Sequence, residues 1–327
     1  MKLEKRLLFR IVALAAVLLL ASPLLEGGLS REETLISLRQ TILSAINQDR
    51  AAHGLRPVRL DPHASRTADR FCELQIREGT SGHFATDGLA PYARYSLAGG
   101  NDGLSQNAVA WSANYSFSEA ALPALARESQ REMMSEVAPR DGHRRTILDP
   151  HATHVGIGVA WEGGELRFTQ EFLRRYIEWK RPLPRSTTTD KRPLAVGRPH
   201  RGYAVRGITV HFEQRPETMS ATLVNRLDSY SLPSRRRDYR PRLGTLHARH
   251  SDGGICRDTL LYADGSRGDF TLERDGSFSF AIPLEDGPGL YTVVLWVQPD
   301  ESDELISASN VSIVVSSPSA DPGLNAR

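Results

Sequence analysis

The sequence predicts a layered α/β domain followed by a smaller all-β domain. Three observations carry this. Up to Trp179 the apolar residues recur mostly at helical spacing, and beyond it mostly in alternation. Between the two patterns, residues 180–193 carry prolines, a Thr run and charges without apolar periodicity. The length of 327 residues also suits two domains at about 150 residues each.

In chain order, Lys2, Lys5, Arg6 and Arg10 precede an apolar run from Ile11 to Leu25. That layout predicts an address over residues 1–29, either a secretory signal peptide or an N-terminal membrane anchor. The run is short of the roughly 20 residues that a spanning helix needs, yet Leu7, Leu8 and Phe9 extend it if Arg10 snorkels. The first domain is expected over residues 30–179. Ser30 and Glu33 form a capping box ahead of Leu35, Leu38, Ile42, Leu43 and Ile46. Asp61 and Pro62 open a second helix carrying Ala64, Ala68, Phe71, Cys72 and Ile76 on one face, and Gly79 closes it. A third helix is expected from Ser118 to Val137. Two strands, Val155 to Trp161 and Leu166 to Phe172, are joined by a Gly163-Gly164 turn.

A linker is expected over residues 180–196 and a β-sandwich, immunoglobulin-like in its spacing, over residues 197–317. Its strands are Gly207 to Phe212, Phe278 to Leu284, Tyr291 to Val297 and Val311 to Val315. Arg235, Arg236, Arg237, Arg240 and Arg242 read as a solvated basic loop. Residues 318–327 read as a disordered tail.

Composition excludes several classes. Charged residues are 24% and the net charge is +2, which gives no support to a nucleic-acid partner. The two cysteines, Cys72 and Cys256, exclude a disulfide-dense scaffold and a four-cysteine zinc site. Cys72 lies in an apolar helical stripe and reads as a buried thiol. Asn114 and Asn310 fit the glycosylation pattern, which matters only in a eukaryotic host.

Four places in the first domain carry titratable or amide groups: Ser81-Gly82-His83-Phe84, Gln106-Asn107, Glu136 near a helix end, and Gly142-His143-Arg144. Two histidines and a carboxylate can present a divalent ion with two nitrogens and an oxygen, leaving positions open to water. His151 and His154 read as exposed loop residues, and His247 and His250 flank the basic loop.

Taken in order, Asn47-Gln48-Asp49-Arg50 with Gly54-Leu55, Ser81-Gly82-His83-Phe84, Gln106-Asn107, Gly142-His143-Arg144 with Ile147-Leu148, Val155-Gly156-Ile157-Gly158 and Thr169-Gln170-Glu171-Phe172 resemble the CAP superfamily. This family comprises the cysteine-rich secretory proteins, antigen 5 and pathogenesis-related proteins, and its domain is also called the SCP domain. The likeness covers about residues 30–179 and is closest to the cysteine-poor bacterial branch. It implies a three-layer α-β-α sandwich with a central cleft holding two histidines and two acids, which in many members bind a divalent ion such as zinc. Carried onto this chain, the cleft residues are His83, Gln106, Glu136 and His143. The family's second acid is replaced by Gln106, which keeps a donor and an acceptor but loses a negative charge. His83, His143 and Glu136 remain as the expected zinc ligands.

The function expected is that of an exported, secreted or membrane-anchored binding protein whose cleft takes a small molecule, lipid or peptide, with or without a divalent metal. A metal-dependent hydrolase of peptidase or esterase type is one alternative. Against it stand the lack of a His-Glu-x-x-His helix and of a Gly-x-Ser-x-Gly elbow. A structural cell-surface protein with a degenerate cleft is another.

Overall fold

The computed structural model describes residues 30–249 and 255–318, and of the residues 247–249 and 255–257 the backbone alone. The expected signal or anchor over residues 1–29 lies outside the described residues. So do nearly all of the tail and the side chains of His247, His250 and Cys256.

The first domain runs α1 (Arg31–Ala52), β1 (Arg59–Leu60), α2 (Pro62–Glu78), α3 (Pro91–Leu97), β2 (Gly103–Ser112), α4 (Leu122–Ser135), α5 (Gly142–Ile147), β3 (His154–Glu162) and β4 (Glu165–Arg174). The Ser30/Glu33 capping box forms as expected, as does the Asp61 N-cap of α2, while Gly79 closes that helix in the left-handed region at φ 65°. The third helix begins as a 3-10 turn at Glu119–Ala121 and ends at Ser135, because Glu136 turns to extended backbone.

The sheet order is β1-β3-β4-β2, so β2 is an edge strand. Strand alternation sorts its two faces. Toward α2 the centre of β3 presents Gly156 and Gly158, with the small Ala160 next along the same face. A Cβ on Gly156 or Gly158 would stand 2.4 Å from Ala64 or Ala68, so these glycines let the helix lie directly on the sheet. The opposite face buries Ile157 and Phe168 against Leu38, Ile42 and Ile46 of α1 and Leu122 and Met133 of α4. Helices therefore cover both faces, giving an α-β-α sandwich. Arg50 explains part of the Asn47–Arg50 motif. Fully buried, it donates to the carbonyls of Arg56, Ile147, Asp149 and Ala152 at 2.7–3.4 Å, tying α1 to two loops.

The second domain contains β5 (Ile177–Arg181), β6 (Ser186–Thr188), β7 (Leu194–Pro199), β8 (Tyr203–Glu213), α6 (Ala221–Val224), β9 (Arg236–Tyr239), β10 (Thr245–Arg249), β11 (Ile255–Thr259), β12 (Thr271–Leu272), β13 (Phe278–Ala281), β14 (Gly289–Pro299), β15 (Ile306–Ser307) and β16 (Val311–Ser316). One sheet has the order β12-β13-β7-β5 and the other β6-β16-β14-β8-β9, and one apolar core lies between them. The expected linker over 180–196 is overturned, because β5 pairs with β7 and β6 with β16. The Thr run favours strand, and the prolines at 182 and 184 fall between two edge strands, where no ladder bond is needed. Of the expected basic loop, Arg236 and Arg237 lie in strand β9, and Arg235 and Arg237 pair with Asp286.

The two domains share a joint. Gly103 and Leu104 donate their backbone N–H groups to the Ala308 carbonyl at 3.1 Å and the Asn310 side-chain oxygen at 2.7 Å. Asn310 is thus buried and engaged, so a glycan on it would not fit this joint. Beside these bonds, Tyr92, Leu104 and Leu173 pack in one cluster with Leu290.

Candidate functional site

The edge strand β2 organises the polar groups. Its pairing sets Gln106 opposite Glu171 and Asn107 opposite Gln170, and neighbouring side chains on a strand point to opposite faces. Gln106 and Glu171 therefore fall on the α2 face, and Asn107 and Gln170 on the α4 face.

On the α2 face, His83 comes from the loop after α2 and its Nδ1 meets Gln106 Oε1 at 2.9 Å. The Gln106 amide then donates to Glu171 Oε1 at 2.8 Å. Glu171 is only 3% exposed, and its Oε2 has no hydrogen-bond partner. Burial pushes this carboxyl up to about 7, against the opposing pull of the Arg94 charge and the Gln106 bond. Burial also holds His83 below its ordinary range; the Gln106 bond opposes this, while the charges of His143 and Arg94 add to it.

Tyr230, from the second domain, closes this side. Its hydroxyl accepts the Gln106 backbone N–H at 2.7 Å, and its ring meets His83 edge-on at 4.8 Å between centroids. Burial pushes the phenol up to about 12, so it stays protonated at neutral pH. The chain between β8 and β9 that carries Tyr230 lies along the His83 loop as a strap. Met219 N–H donates to the Thr86 carbonyl at 2.8 Å, and Asn225 donates to the Gly79 carbonyl at 2.9 Å. Asn225 Oδ1 also accepts the Ser81 N–H at 2.9 Å, and Tyr92 donates to the Ser231 carbonyl at 3.2 Å.

On the α4 face, Glu136 stands at the C-cap of α4 and reaches the start of α5. It accepts the backbone N–H groups of His143 and Arg144 at 2.9 and 3.3 Å, and its other oxygen lies 2.5 Å from His143 Nδ1. A carboxylate placed there caps the short helix and fixes the His143 tautomer, with the proton on Nδ1 and Nε2 left free. A chain of buried amides supports the same loop. Asp49 accepts from Gln130 at 2.7 Å, Gln130 from Gln170 at 2.7 Å, and Gln170 from Asn107 at 3.2 Å; Asn107 also donates to the His143 carbonyl at 3.1 Å. Along α5 a cavity of about 580 Å³ opens, lined by Ser105, Gly142, Arg144, Thr146 and Asp149 among others, with neither His143 nor Glu136 in its wall.

The four cleft residues expected from sequence thus form two hydrogen-bonded pairs, His83 with Gln106 and His143 with Glu136. The two pairs belong to opposite faces of β2, the first through Gln106 and the second through Asn107, which donates to the His143 carbonyl. Sequence reasoning missed Glu171 and Tyr230. Glu171 shares the period-two face of Thr169, but its partnership with Gln106 follows only from the β2–β4 register. For Tyr230 no local signal exists, since it lies 124 positions from the residue it meets.

The expected zinc set does not fit this arrangement. Glu136 already spends both oxygens on His143 and the α5 N-terminus, and Gln106 carries no charge. Among the described residues no group of three His, Cys, Asp or Glu side chains is placed to hold a metal ion. Cys72 is a free, buried thiol whose ionisation burial suppresses.

Residues 43–172 match the profile of the cysteine-rich secretory protein family, CAP. Among solved structures the chain is similar to an extracellular protein containing an SCP domain from Bacillus anthracis strain Ames, at 18% identity and a TM-score of 0.35. That likeness covers 46% of this chain and 45% of the other, less than half of either. No curated protein matches the chain.

Proposed function

From the premise that residues 43–172 are a domain of the CAP family, we propose that the protein is an exported binder of a peptide or a polar small molecule. In this reading the ligand sits in the cavity along α5, between Ser105 and Arg144. The observation that carries this reading is the split character of the cleft, with one half open and the other finished by Tyr230. On the open side His143 and Glu136 are partly exposed, and the cavity of about 580 Å³ along α5, walled by the residues flanking His143 rather than by its ring, falls within the usual size of ligand sites, roughly 300–1,000 Å³. The lining of backbone, Ser105, Arg144 and Asp149 offers donors and acceptors of both signs, which suits a peptide better than a lipid tail. In this reading the second domain is part of the binding unit, and the basic, apolar N-terminal segment supplies export, with or without anchoring at the membrane.

A hydrolytic reading has one observation in its favour. An imidazole oriented by a carboxylate through Nδ1, with Nε2 free, is the acid–base half of a hydrolytic centre. No nucleophilic side chain bonds to that Nε2 among the described residues, so binding is the reading adopted. The test is native mass spectrometry of protein recovered from the exported fraction, compared with an H143A/R144A variant. A copurifying peptide or polar molecule that the variant loses supports the proposal. Recovery of an acyl lipid, or of nothing in either form, overturns it.

A further inference from the structure

A second cavity, which shares only Pro150 with the one along α5, lies where the two domains meet. It measures about 650 Å³. The first domain contributes Arg56 and Arg59 from around β1 and His151 and His154 from the loop entering β3; the second contributes His200 and Tyr203. No carboxylate lines it. The acids nearby are already committed. Asp61 and Asp102 hold Arg175 at 2.6 and 2.8 Å, and the exposed Glu304 reaches His151 Nε2 at 3.0 Å. Arg56 and Arg59, in contrast, have no side-chain partner among the described residues, so their charges face the cavity mouth uncompensated.

The walls are fixed before any ligand arrives. Buried Arg50 grips the carbonyls of Arg56 and Ala152, the Tyr176 hydroxyl donates to the His151 carbonyl at 2.9 Å, and His200 N–H donates to the Tyr176 carbonyl at 2.8 Å. The Tyr176 and Tyr203 rings, 4.5 Å apart between centroids, form an aromatic floor. His154 adds a further group. Its Nδ1 lies 2.9 Å from the Thr153 hydroxyl, whose proton goes to the Leu173 carbonyl at 3.0 Å. The imidazole proton must therefore sit on Nδ1, and Nε2 has no protein partner. Burial and the Arg175 charge keep this ring neutral, and an arriving anion would favour its protonation.

We propose that this junction cavity binds an oxyanion carried on a sugar-sized body, a phosphate ester or a carboxylate. Arg56 and Arg59 are its charge partners, and Tyr203 lies under its ring. Guanidiniums match the paired oxygens of both anions, and a tyrosine face suits a sugar ring. This assignment stands apart from the cleft reading and survives its failure.

The test uses the full chain and three probes: glucose 6-phosphate, glucuronate and neutral glucose. Each is titrated while the imidazole NMR signals of His154 and His200 are followed. Saturable shifts are expected with at least one of the two anions, with glucose weaker by about tenfold or more. The anion that saturates first identifies the class of carrier. An R56A/R59A variant, altered at two exposed positions, is expected to keep its melting temperature and lose about tenfold or more in affinity. An R59E variant should bind more weakly still. The proposal is overturned if neither anion gives a saturable shift up to about 20 mM, well above millimolar affinity, or if R56A/R59A binds as the native chain does.

Discussion

Glu171 offers the sharpest test of the electrostatics described above, through the variant E171Q. In the unfolded chain this carboxyl ionises near 4.5, and in the folded protein burial raises it to about 7. Between those values the folded protein keeps a proton that the unfolded chain has released, so stability falls as pH rises from 4.5 through about 7. Below 4.5 the contribution is fully present. At about 1.4 kcal/mol per pH unit, the rise corresponds to about 3 kcal/mol lost by pH 8. Glutamine at this position cannot ionise, yet its carbonyl still accepts from the Gln106 amide. The partnerless Oε2 is replaced by an amide nitrogen, much as it is replaced by a hydroxyl in the protonated acid. The variant should therefore match the native protein near pH 4.5 and exceed it by about 3 kcal/mol at pH 8. Urea unfolding at the two pH values measures this directly. If E171Q were instead less stable than the native chain at pH 8, Glu171 would be an ionised partner of Arg94, and the account of the site's charge would be wrong.

Three further outcomes follow from the packing. R50A strips the donor from four carbonyls, two of them buried, and should cost about 3–5 kcal/mol, read as a lowered urea midpoint; a loss below about 1 kcal/mol would mean that water replaces the guanidinium. G103A places a Cβ 2.2 Å from the Ser307 carbonyl oxygen, so it should cost about 1–3 kcal/mol and speed proteolysis at the domain joint. Y230A removes the ring from His83 and should raise the rate of His83 carbethoxylation, resolved by mass spectrometry, while His143 reacts as before. Equal rates at His83 in both proteins would show that Tyr230 does not shield it.

Much of the first domain was legible because its signals are local. Ser30 with Glu33 and Asp61 with Pro62 each specify a helix start within four residues, and the two-residue turn at Gly163-Gly164 specifies the hairpin. The cleft pairs were half-legible. His83, Gln106, Glu136 and His143 stand out as polar residues beside apolar patterns, but which of them touch is decided by strand register and by the C-cap of α4. Glu136 illustrates the limit. Its sequence position suited a ligand, whereas the fold turns its oxygens toward the α5 backbone. The error at residues 180–196 has a similar origin. Prolines and charges read as linker when edge strands tolerate both, and only the partner strands 194–199 and 311–316 reveal the pairing.

The apolar cluster bridging Tyr92, Leu104 and Leu173 to Leu290 has a consequence for how this protein can be cut, swapped or inherited. Neither half is portable. Severed after Trp179, the amino-terminal piece would bare hydrocarbon and leave the amides of Gly103 and Leu104 without acceptors. Melting should accordingly register one cooperative event, and recombination that exchanges one half must bring a matching counterpart with it.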